Sequence, residues 1–394
     1  MKKKRNSSTS QRKRKETGAA KRTGRQKIGR FFLHAAAFFN ALVAAAMVVS
    51  AYGSFFEPED SRPLAVFAFA FPICFFIELI AVIAWAACRK WKQAVIFFLP
   101  FLLTAKASYV FFPLNILPDF SSDKDKENSF TMMTYNTFYF YDSMDRNLDY
   151  CGTVSEIMKQ NCDVVAMQEM YNFEPQYAQR FTKAQSDSLK AMYPYRSSGH
   201  SMGLLSKYPI KSTNVITSVS DDYQMVRYEL EIKGKTVALY NVHLQSIGLT
   251  NEDKEFYEKT TSKEIIHEGK QVRSTLSTIK NRLYRKLADA MVARAHQAKV
   301  LRKHLDKEKG NVILCGDFND ISTSYAYRKI KGDMTDAYAK CAFGPTITYH
   351  KNRFYFKIDY VMYSGNLKAV KEKRPGRKWS DHYPLVTEFV LNNN

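Results

Sequence analysis

Cysteine is sparse in this sequence, and its spacing excludes several kinds of site. The six cysteines among 394 residues include no pair at the short spacing of a zinc site or a redox motif. If Cys151 and Cys162 flank one helix, a rise of ~1.5 Å per residue puts them roughly 16 Å apart, beyond the reach of a disulfide. We therefore expect buried free thiols.

Acidic residues are almost absent from the first 30 positions, where Glu16 stands against thirteen Lys or Arg. Little in this stretch is apolar, so it cannot bury a core. A basic tail can bind nucleic acid or fix membrane orientation, and we favour the second because the tail runs directly into an apolar segment. Subtracting its +12 and the +1 of residues 31 to 118 from the formal +21 leaves +8 for residues 119 to 394.

Charge is also missing from three long apolar stretches. Each is long enough to cross a bilayer; they are Phe31 to Gly53 with no charged residue, Leu64 to Cys88 with only Glu78, and Ala94 to about Pro118 with only Lys106. The third is interrupted by Lys106 and by three prolines. We predict a basic cytoplasmic tail (1–30), a membrane region with about three transmembrane helices (31–118) and a catalytic domain (119–394).

The charged loops between these stretches predict an orientation. The loop from Ser54 to Pro63 is acidic, whereas Arg89, Lys90 and Lys92 follow the second stretch. The positive-inside rule then places the tail and the Arg/Lys loop in the cytoplasm, and the acidic loop and the C-terminal domain outside. The prediction is a multi-pass protein of the inner (plasma) membrane. A cleaved signal peptide ending near Ala51 is the alternative, and two spans would remain.

After Asp119, short β-rich runs alternate with helical patterns. The predicted strands are Phe130 to Thr137, Asp163 to Gln168, Met202 to Leu205, Met225 to Ile232, Thr236 to His243, Asn311 to Cys315, Phe356 to Tyr363 and Leu385 to Leu391. Helical spacing is clearest from Asn281 to Leu305. The polar stretch from Thr250 to Ser277 is interpreted as an excursion near the rim of the site, without an assigned role.

Six short motifs follow in order, and each places an acid, an amide or an imidazole just after an apolar run. They are MTYNT with Asn136, AMQEM with Glu169, YNVHLQS with His243, CGDFND with Asp317 and Asn319, KIDYV with Asp359, and WSDHYP with Asp381 and His382. Taken singly, each residue has an ordinary explanation as a turn residue, a helix-start acid or a packed histidine. Strand ends gather such side chains into one cleft, so the ordered set predicts a single site.

Together these motifs resemble the endonuclease/exonuclease/phosphatase superfamily, which includes DNase I, exonuclease III-like enzymes, sphingomyelinases and inositol polyphosphate phosphatases. The resemblance covers roughly residues 128 to 391. It implies an α/β fold, a four-layer β-sandwich flanked by helices (DNase I-like), preceded here by about three transmembrane helices. It also implies a metal-dependent hydrolase of phosphate esters.

The resemblance and the chemistry together suggest a role for each residue. Glu169 is the expected ligand of a hard divalent cation, Mg²⁺ or Mn²⁺, because few His or Cys accompany it. Asn136 and Asp381 would lie beside that metal. The catalytic set would be Asp317, Asn319, His243, His382 and Asp359. Asp317 would align or deprotonate the attacking water, and Asn319 would donate a hydrogen bond to the phosphate. His243 would be a second phosphate-binding histidine, and His382, paired with Asp359, would bind the phosphate through its imidazole.

Two departures from the family pattern bear on the substrate. Phe138 stands where the exonuclease III-like branch has an additional acid, which weakens a DNA-repair function, and Lys357 replaces an arginine. Three functions remain: hydrolysis of a phosphorylated lipid or lipid-linked substrate at the bilayer, cleavage of extracellular nucleic acid, and an idle membrane-bound binding module. We favour the first because of the anchor. No protein partner is evident.

Overall fold

A computed structural model describes residues 3–115, 127–141, 151–170, 182–216, 224–248, 270–351 and 354–392. For residues 3–27 and 270–280 it describes the helical backbone alone. The chain divides into two compact units, Met1–Val49 with Ala70–Thr104, and Ser50–Phe69 with Ala105–Asn394. The predicted domain boundary at Asp119 lies outside the described residues.

The N-terminal part consists of helices α1 (Lys3–Tyr52), α2 (Arg62–Phe67), α3 (Phe71–Ala87), α4 (Trp91–Leu103) and α5 (Ala105–Phe111). Two helical segments, Ile28–Phe55 and Arg62–Ala87, are long and apolar enough to cross a membrane. Helices α4 and α5 qualify only as a pair, bent by 80° at the break between them. The described residues therefore offer two candidate membrane spans, or three if the bent pair is one span.

A chain of buried polar side chains lies inside the first unit. Glu78 is fully buried and accepts a hydrogen bond of 2.5 Å from Nδ2 of Asn40, whose Oδ1 accepts 2.8 Å from Nε1 of Trp85. Helix α4 contains Pro100 and ends where the hydroxyl of Thr104 donates to the Pro100 carbonyl. At ~1.5 Å per residue, its 13 residues are shorter than a bilayer core of roughly 30 Å.

The second unit contains two six-stranded sheets. The first has the order β11-β12-β1-β2-β4-β3 and the second β5-β6-β7-β8-β10-β9. The strands are β1 (Ser129–Asn136), β2 (Val164–Gln168), β3 (Tyr195–Gly199), β4 (Met202–Ser206), β5 (Ile210–Ile216), β6 (Met225–Ile232), β7 (Lys235–His243), β8 (Asn311–Asp317), β9 (Thr335–Asp336), β10 (Asp359–Ser364), β11 (Leu367–Lys373) and β12 (Leu385–Leu391).

Helices cover the outer faces of both sheets. One core, which includes Met132 and Leu239, lies between the sheets. Helices α6 (Gly152–Gln160) and α7 (Lys183–Met192) pack on the first sheet through Ile157 and Leu189. Helices α8 (Lys270–Leu305) and α9 (Tyr325–Lys331) pack on the second, and the short α10 spans Ala337–Cys341. This arrangement of four layers confirms the predicted fold class.

The predicted elements fit this architecture with instructive exceptions. All eight predicted strands exist, and Val226, Tyr228 and Leu230 of β6 share the inner core as their alternation predicted. Strand β10 begins at Asp359, three residues later than predicted, because Phe356 instead pairs with Tyr349 in an isolated bridge. Helix α8 begins before the predicted Asn281; the earlier part of the Thr250 to Ser277 stretch, up to residue 269, lies outside the described residues.

Candidate active site

Strand pairing brings the motif residues together at one end of the two sheets. Strands β1 and β2 are parallel, as are β7 and β8, so the residues at their carboxyl ends become neighbours. His243 and Asp317 are paired in register, and Asp359 pairs with Asp317 from the other side. Glu169 directly follows β2. The predicted residues from six motifs thus lie in one cleft.

Asn136 links carboxylates of the two sheets. Its Nδ2 lies 3.0 Å from Oε1 of Glu169 and 3.0 Å from Oδ2 of Asp317. Its Oδ1 accepts from the backbone N–H of Phe138. The side chain is fully buried, so its amide is held in one orientation by these three contacts.

Asp317 is held by the turn that follows it. The backbone N–H of Asn319 donates to Oδ1 of Asp317 over 2.7 Å, and Nδ2 of Asn319 donates to the carbonyl of Leu244 over 2.9 Å. Gly316 has φ +134°, and a Cβ there would lie 2.0 Å from the Val242 carbonyl oxygen, so only glycine fits. Burial raises the pKa of Asp317, while the charge of His382 opposes that rise.

His382 and Asp359 form a buried pair. Nδ1 of His382 lies 2.9 Å from Oδ2 of Asp359, and its Nε2 lies 3.6 Å from Oδ2 of Asp317. Burial alone would lower the pKa of His382, but the charges of Asp359 and Asp317 and the Asp359 hydrogen bond raise it to about 10. The imidazole is therefore an imidazolium at neutral pH.

His243 lies in the same cleft, but its pKa is shifted in the opposite direction from that of His382. Its Nε2 lies 3.5 Å from Oε1 of Glu169 and 3.7 Å from Oδ2 of Asp317. Burial, followed by the charge of His382, lowers the pKa of His243 to about 3. The cleft thus pairs a neutral imidazole with a charged one, and only a neutral imidazole can bind a metal ion.

Two groups of ligand atoms in the described residues lie close enough together to hold a metal ion. Glu169, His243 and Asp317 form one, and Asp317, Asp359 and His382 form the other, each with its ligand atoms within 4.8 Å of one another. The second cluster is explained by the His382–Asp359 pair, because a protonated imidazole is not a ligand. The first cluster, with two carboxylates and a neutral histidine, fits a divalent cation.

Asp381 lies on the Glu169 side of the cleft. Burial raises the pKa of Glu169, and the charge of Asp381 contributes to that rise. Oδ2 of Asp381 is 3.8 Å from Nζ of Lys351. Ser380 positions this segment, since its hydroxyl donates to the Asn136 carbonyl and accepts from the backbone N–H of His382.

Several supporting residues were not found from the sequence. Nε2 of Gln168 donates to Oδ1 of Asn241 over 2.6 Å, and Nδ2 of Asn241 donates to the Met167 carbonyl, so buried amides join the two sheets behind the site. The hydroxyl of Thr348 accepts from the backbone N–H groups of Ile358 and Asp359. Gln168 and Asn241 lie inside the motifs AMQEM and YNVHLQS. An amide within an apolar strand run is the feature of the sequence from which these two residues could have been predicted.

A four-layer α/β sandwich with carboxylates, amides and two imidazoles gathered at its strand ends is the architecture of a phosphate ester hydrolase. The Endonuclease/Exonuclease/phosphatase family model matches residues 133–382. The chain belongs to this family, whose enzymes use divalent metals to hydrolyse phosphate esters. A second model, for a domain of unknown function (DUF8431), matches residues 30–111.

Several solved structures resemble the chain, whereas no curated protein matches it. An endonuclease/exonuclease/phosphatase from Bacteroides vulgatus is 17% identical, with 67% of this chain and 99% of that one covered and a TM-score of 0.44. Sphingomyelinase C from Streptomyces griseocarneus is 18% identical, with 66% and 99% covered and a TM-score of 0.39. TDP2 from D. rerio, complexed with a single strand DNA product, is 14% identical, with 66% and 98% covered and a TM-score of 0.44.

Proposed function

We propose that this protein is a membrane-anchored phosphoesterase that depends on Mg²⁺ or Mn²⁺ and hydrolyses a lipid phosphate close to the bilayer. The observation that carries the proposal is the cleft itself, where Asn136 bridges Glu169 to Asp317 beside the His382–Asp359 pair. The lipid substrate is supported by the two apolar helical segments at the N-terminus, which suggest membrane association.

The cleft's own residues divide the work of hydrolysis. Asp317, with a raised pKa, is the group that aligns the attacking water and takes its proton. The His382 imidazolium, held by Asp359, stabilises the charge that develops on the phosphoryl oxygens. Asn319 and neutral His243 contribute hydrogen bonds to the phosphate. A divalent cation on Glu169, with Asn136 and Asp381 beside it, would polarise the phosphoryl group.

A substrate panel tests the proposal on the full chain in lipid nanodiscs. We expect hydrolysis of phosphatidic acid or a polyprenyl pyrophosphate in the same bilayer to exceed that of soluble single-stranded or duplex DNA by about tenfold or more, because the anchor raises the local substrate concentration. Asp317→Asn is the inactive control. Preferential cleavage of DNA would show that the substrate is nucleic acid and not a lipid phosphate. If the wild type hydrolysed no phosphate ester, the protein would instead be an idle binding module.

The proposed localisation is the inner (plasma) membrane, with tail 1–30 in the cytoplasm, the membrane region 31–118 crossing the bilayer and the catalytic domain, 119–394, outside. Contacts inside the second unit support it. The loop between the first two apolar segments touches helix α8, where Glu57 pairs with Lys299, Glu59 lies 2.8 Å from His296, and Arg62 lies 2.8 Å from Asp289. These contacts support a topology in which the loop and the catalytic domain share one side of the membrane.

Contacts with helix α9 extend this surface. Nε of Arg328 donates to the Ser54 carbonyl over 2.8 Å, and its guanidinium lies 4.3 Å from the ring centroid of Phe55. Tyr325 donates its hydroxyl to Glu57 over 2.8 Å. A loop between two spans cannot reach these residues from the opposite side of a bilayer, which supports the proposal that α4 and α5 together form a third crossing.

Reporter fusions after Asn394 test this orientation. An export-dependent reporter should be active and a reporter active only in the cytoplasm silent, with fusions after Lys92 giving the reverse. The opposite pattern at Asn394 would place the domain in the cytoplasm and move nucleic acid ahead of lipid phosphate as the substrate.

A further inference from the structure

The proposed cleft carries more negative charge than its histidine and one metal ion can balance. Its four carboxylates are those of Glu169, Asp317, Asp359 and Asp381. With all four ionised, one imidazolium and one divalent cation leave one negative charge before an anionic phosphate arrives. Binding that phosphate therefore calls for a further cation.

Lys351 supplies a positive charge at this place. Its Nζ lies 3.8 Å from Oδ2 of Asp381 and 3.9 Å from the ring centroid of Phe138. Its charge also acts on the Glu169 carboxyl, whose pKa it lowers against the effect of burial. At 3.8 Å the ammonium attracts Asp381 without a direct hydrogen bond, so, among the residues that the structure describes, its N–H groups remain able to donate to another acceptor. The side chain is 31% exposed, which leaves it open to a ligand.

The backbone holds Lys351 against the catalytic loop. The N–H of His350 donates to the Asp381 carbonyl over 3.1 Å, and the N–H of Tyr383 donates to the Thr348 carbonyl over 2.7 Å. The Tyr349 ring lies 5.0 Å from the His382 ring, centroid to centroid. Below the ammonium, Phe138 has φ +45° and its N–H is bound by Oδ1 of Asn136, so the aromatic platform is fixed to the same site.

We propose that Lys351 is a substrate-binding residue whose ammonium contacts a non-bridging oxygen of the scissile phosphate. Phe138 and Asp381 set its position before the substrate arrives, the ring by a cation–π contact and the carboxylate by attraction. Lys351 thereby acts as a fixed cation beside the divalent ion proposed on Glu169. This inference rests on the proposed phosphoesterase function and adds a specificity for the phosphate group itself.

Lys351→Met tests the proposal, because methionine keeps the apolar stem over Phe138 and removes the charge. In the full chain with Mg²⁺, we expect the KM for bis(p-nitrophenyl) phosphate and the calorimetric Kd of inorganic phosphate to rise about 10- to 100-fold, the range of a lost charge-assisted hydrogen bond. Lys351→Arg should stay within a few-fold of wild type. The Mg²⁺ concentration for half activation should not rise, since a cation beside Asp381 has been removed.

Lys371→Met on β11 is the matched control, because Lys371 is exposed and lies on a strand that carries none of the cleft residues. Unchanged KM and phosphate Kd in an active, folded Lys351→Met variant would overturn the proposal. So would a rise in the Mg²⁺ requirement equal to the rise in phosphate Kd, because Lys351 would then act through the metal ligands. A wild type that binds phosphate through Lys351 but hydrolyses nothing would overturn the proposed function alone.

Discussion

Asp359→Asn and His382→Asn are each expected to lower kcat by at least about 10²-fold, and the double variant should lose little more than either one. The physical reason is that the two side chains act as one charged unit, joined by a 2.9 Å contact in a buried cleft. Removing one member of such a unit already removes most of its effect on the transition state. The measurement is a double-mutant cycle on kcat with one phosphodiester substrate.

The pH profile of Asp359→Asn gives a second, independent result. In the wild type, the alkaline limb of the activity profile should appear as pH rises through about 10, where His382 loses its proton. Burial lowers the pKa of a histidine, and without the Asp359 charge less would oppose that effect at His382. The pKa of His382 should therefore fall, in the same direction in which burial lowers the pKa of His243 to about 3. The alkaline limb of kcat should therefore shift to lower pH.

The same linkage predicts a stability effect whose sign can be checked. The pKa of His382 is raised on folding from about 6.5, so its protonated form stabilises the fold fully below pH ~6.5. That contribution is lost as pH rises from there through about 10. Chemical denaturation should show this loss for the wild type and a smaller one for Asp359→Asn. Multiplicative losses of kcat in the cycle, or an unmoved alkaline limb, would contradict the pairing.

The strands that could be predicted from the sequence were those buried on one or both faces. Val226, Tyr228 and Leu230 alternate with polar residues, and the run from Val164 is wholly buried, so hydrophobic pattern alone defines both strands. Strands β3 and β5 were missed because most of their residues are exposed and polar, and a strand at a sheet edge needs no apolar pattern. Strand β11 was also missed, because its apolar residues alternate only weakly with its three lysines.

The candidate site was predictable as a set of residues but not as a geometry. The motifs named the side chains that meet at the strand ends, because chemistry restricts residue types there. Sequence order does not reveal that His243 and His382 differ in protonation, since this follows from one carboxylate partner and from burial. Nor does it place Lys351, eight residues before Asp359, beside Asp381. Contacts of that kind arise only from the fold.

The largest expected effect is the response to metal. EDTA should abolish hydrolysis, and added Mg²⁺ or Mn²⁺ should restore it, because Glu169 offers a carboxylate to a cation in a group of ligand atoms that lie within 4.8 Å of one another. Without a cation, the carboxylates that face the phosphate would repel it. The measurement is initial rate against free metal concentration, with binding of the metal alone followed by calorimetry.

Glu169→Gln removes the negative charge of this side chain and keeps its shape. A glutamine oxygen can still accept the 3.0 Å hydrogen bond from Asn136, so the fold of the site should survive while the charge that attracts the cation is lost. We expect the Mg²⁺ concentration for half activation to rise by at least about 10²-fold, since even groups that only orient a metal ligand contribute 10- to 100-fold to affinity. Glu231→Gln is the control, because Glu231 lies on β6 and pairs with Lys211 at the surface. Full activity in EDTA, or a Glu169→Gln variant with wild-type metal affinity, would show that this carboxylate holds no catalytic cation.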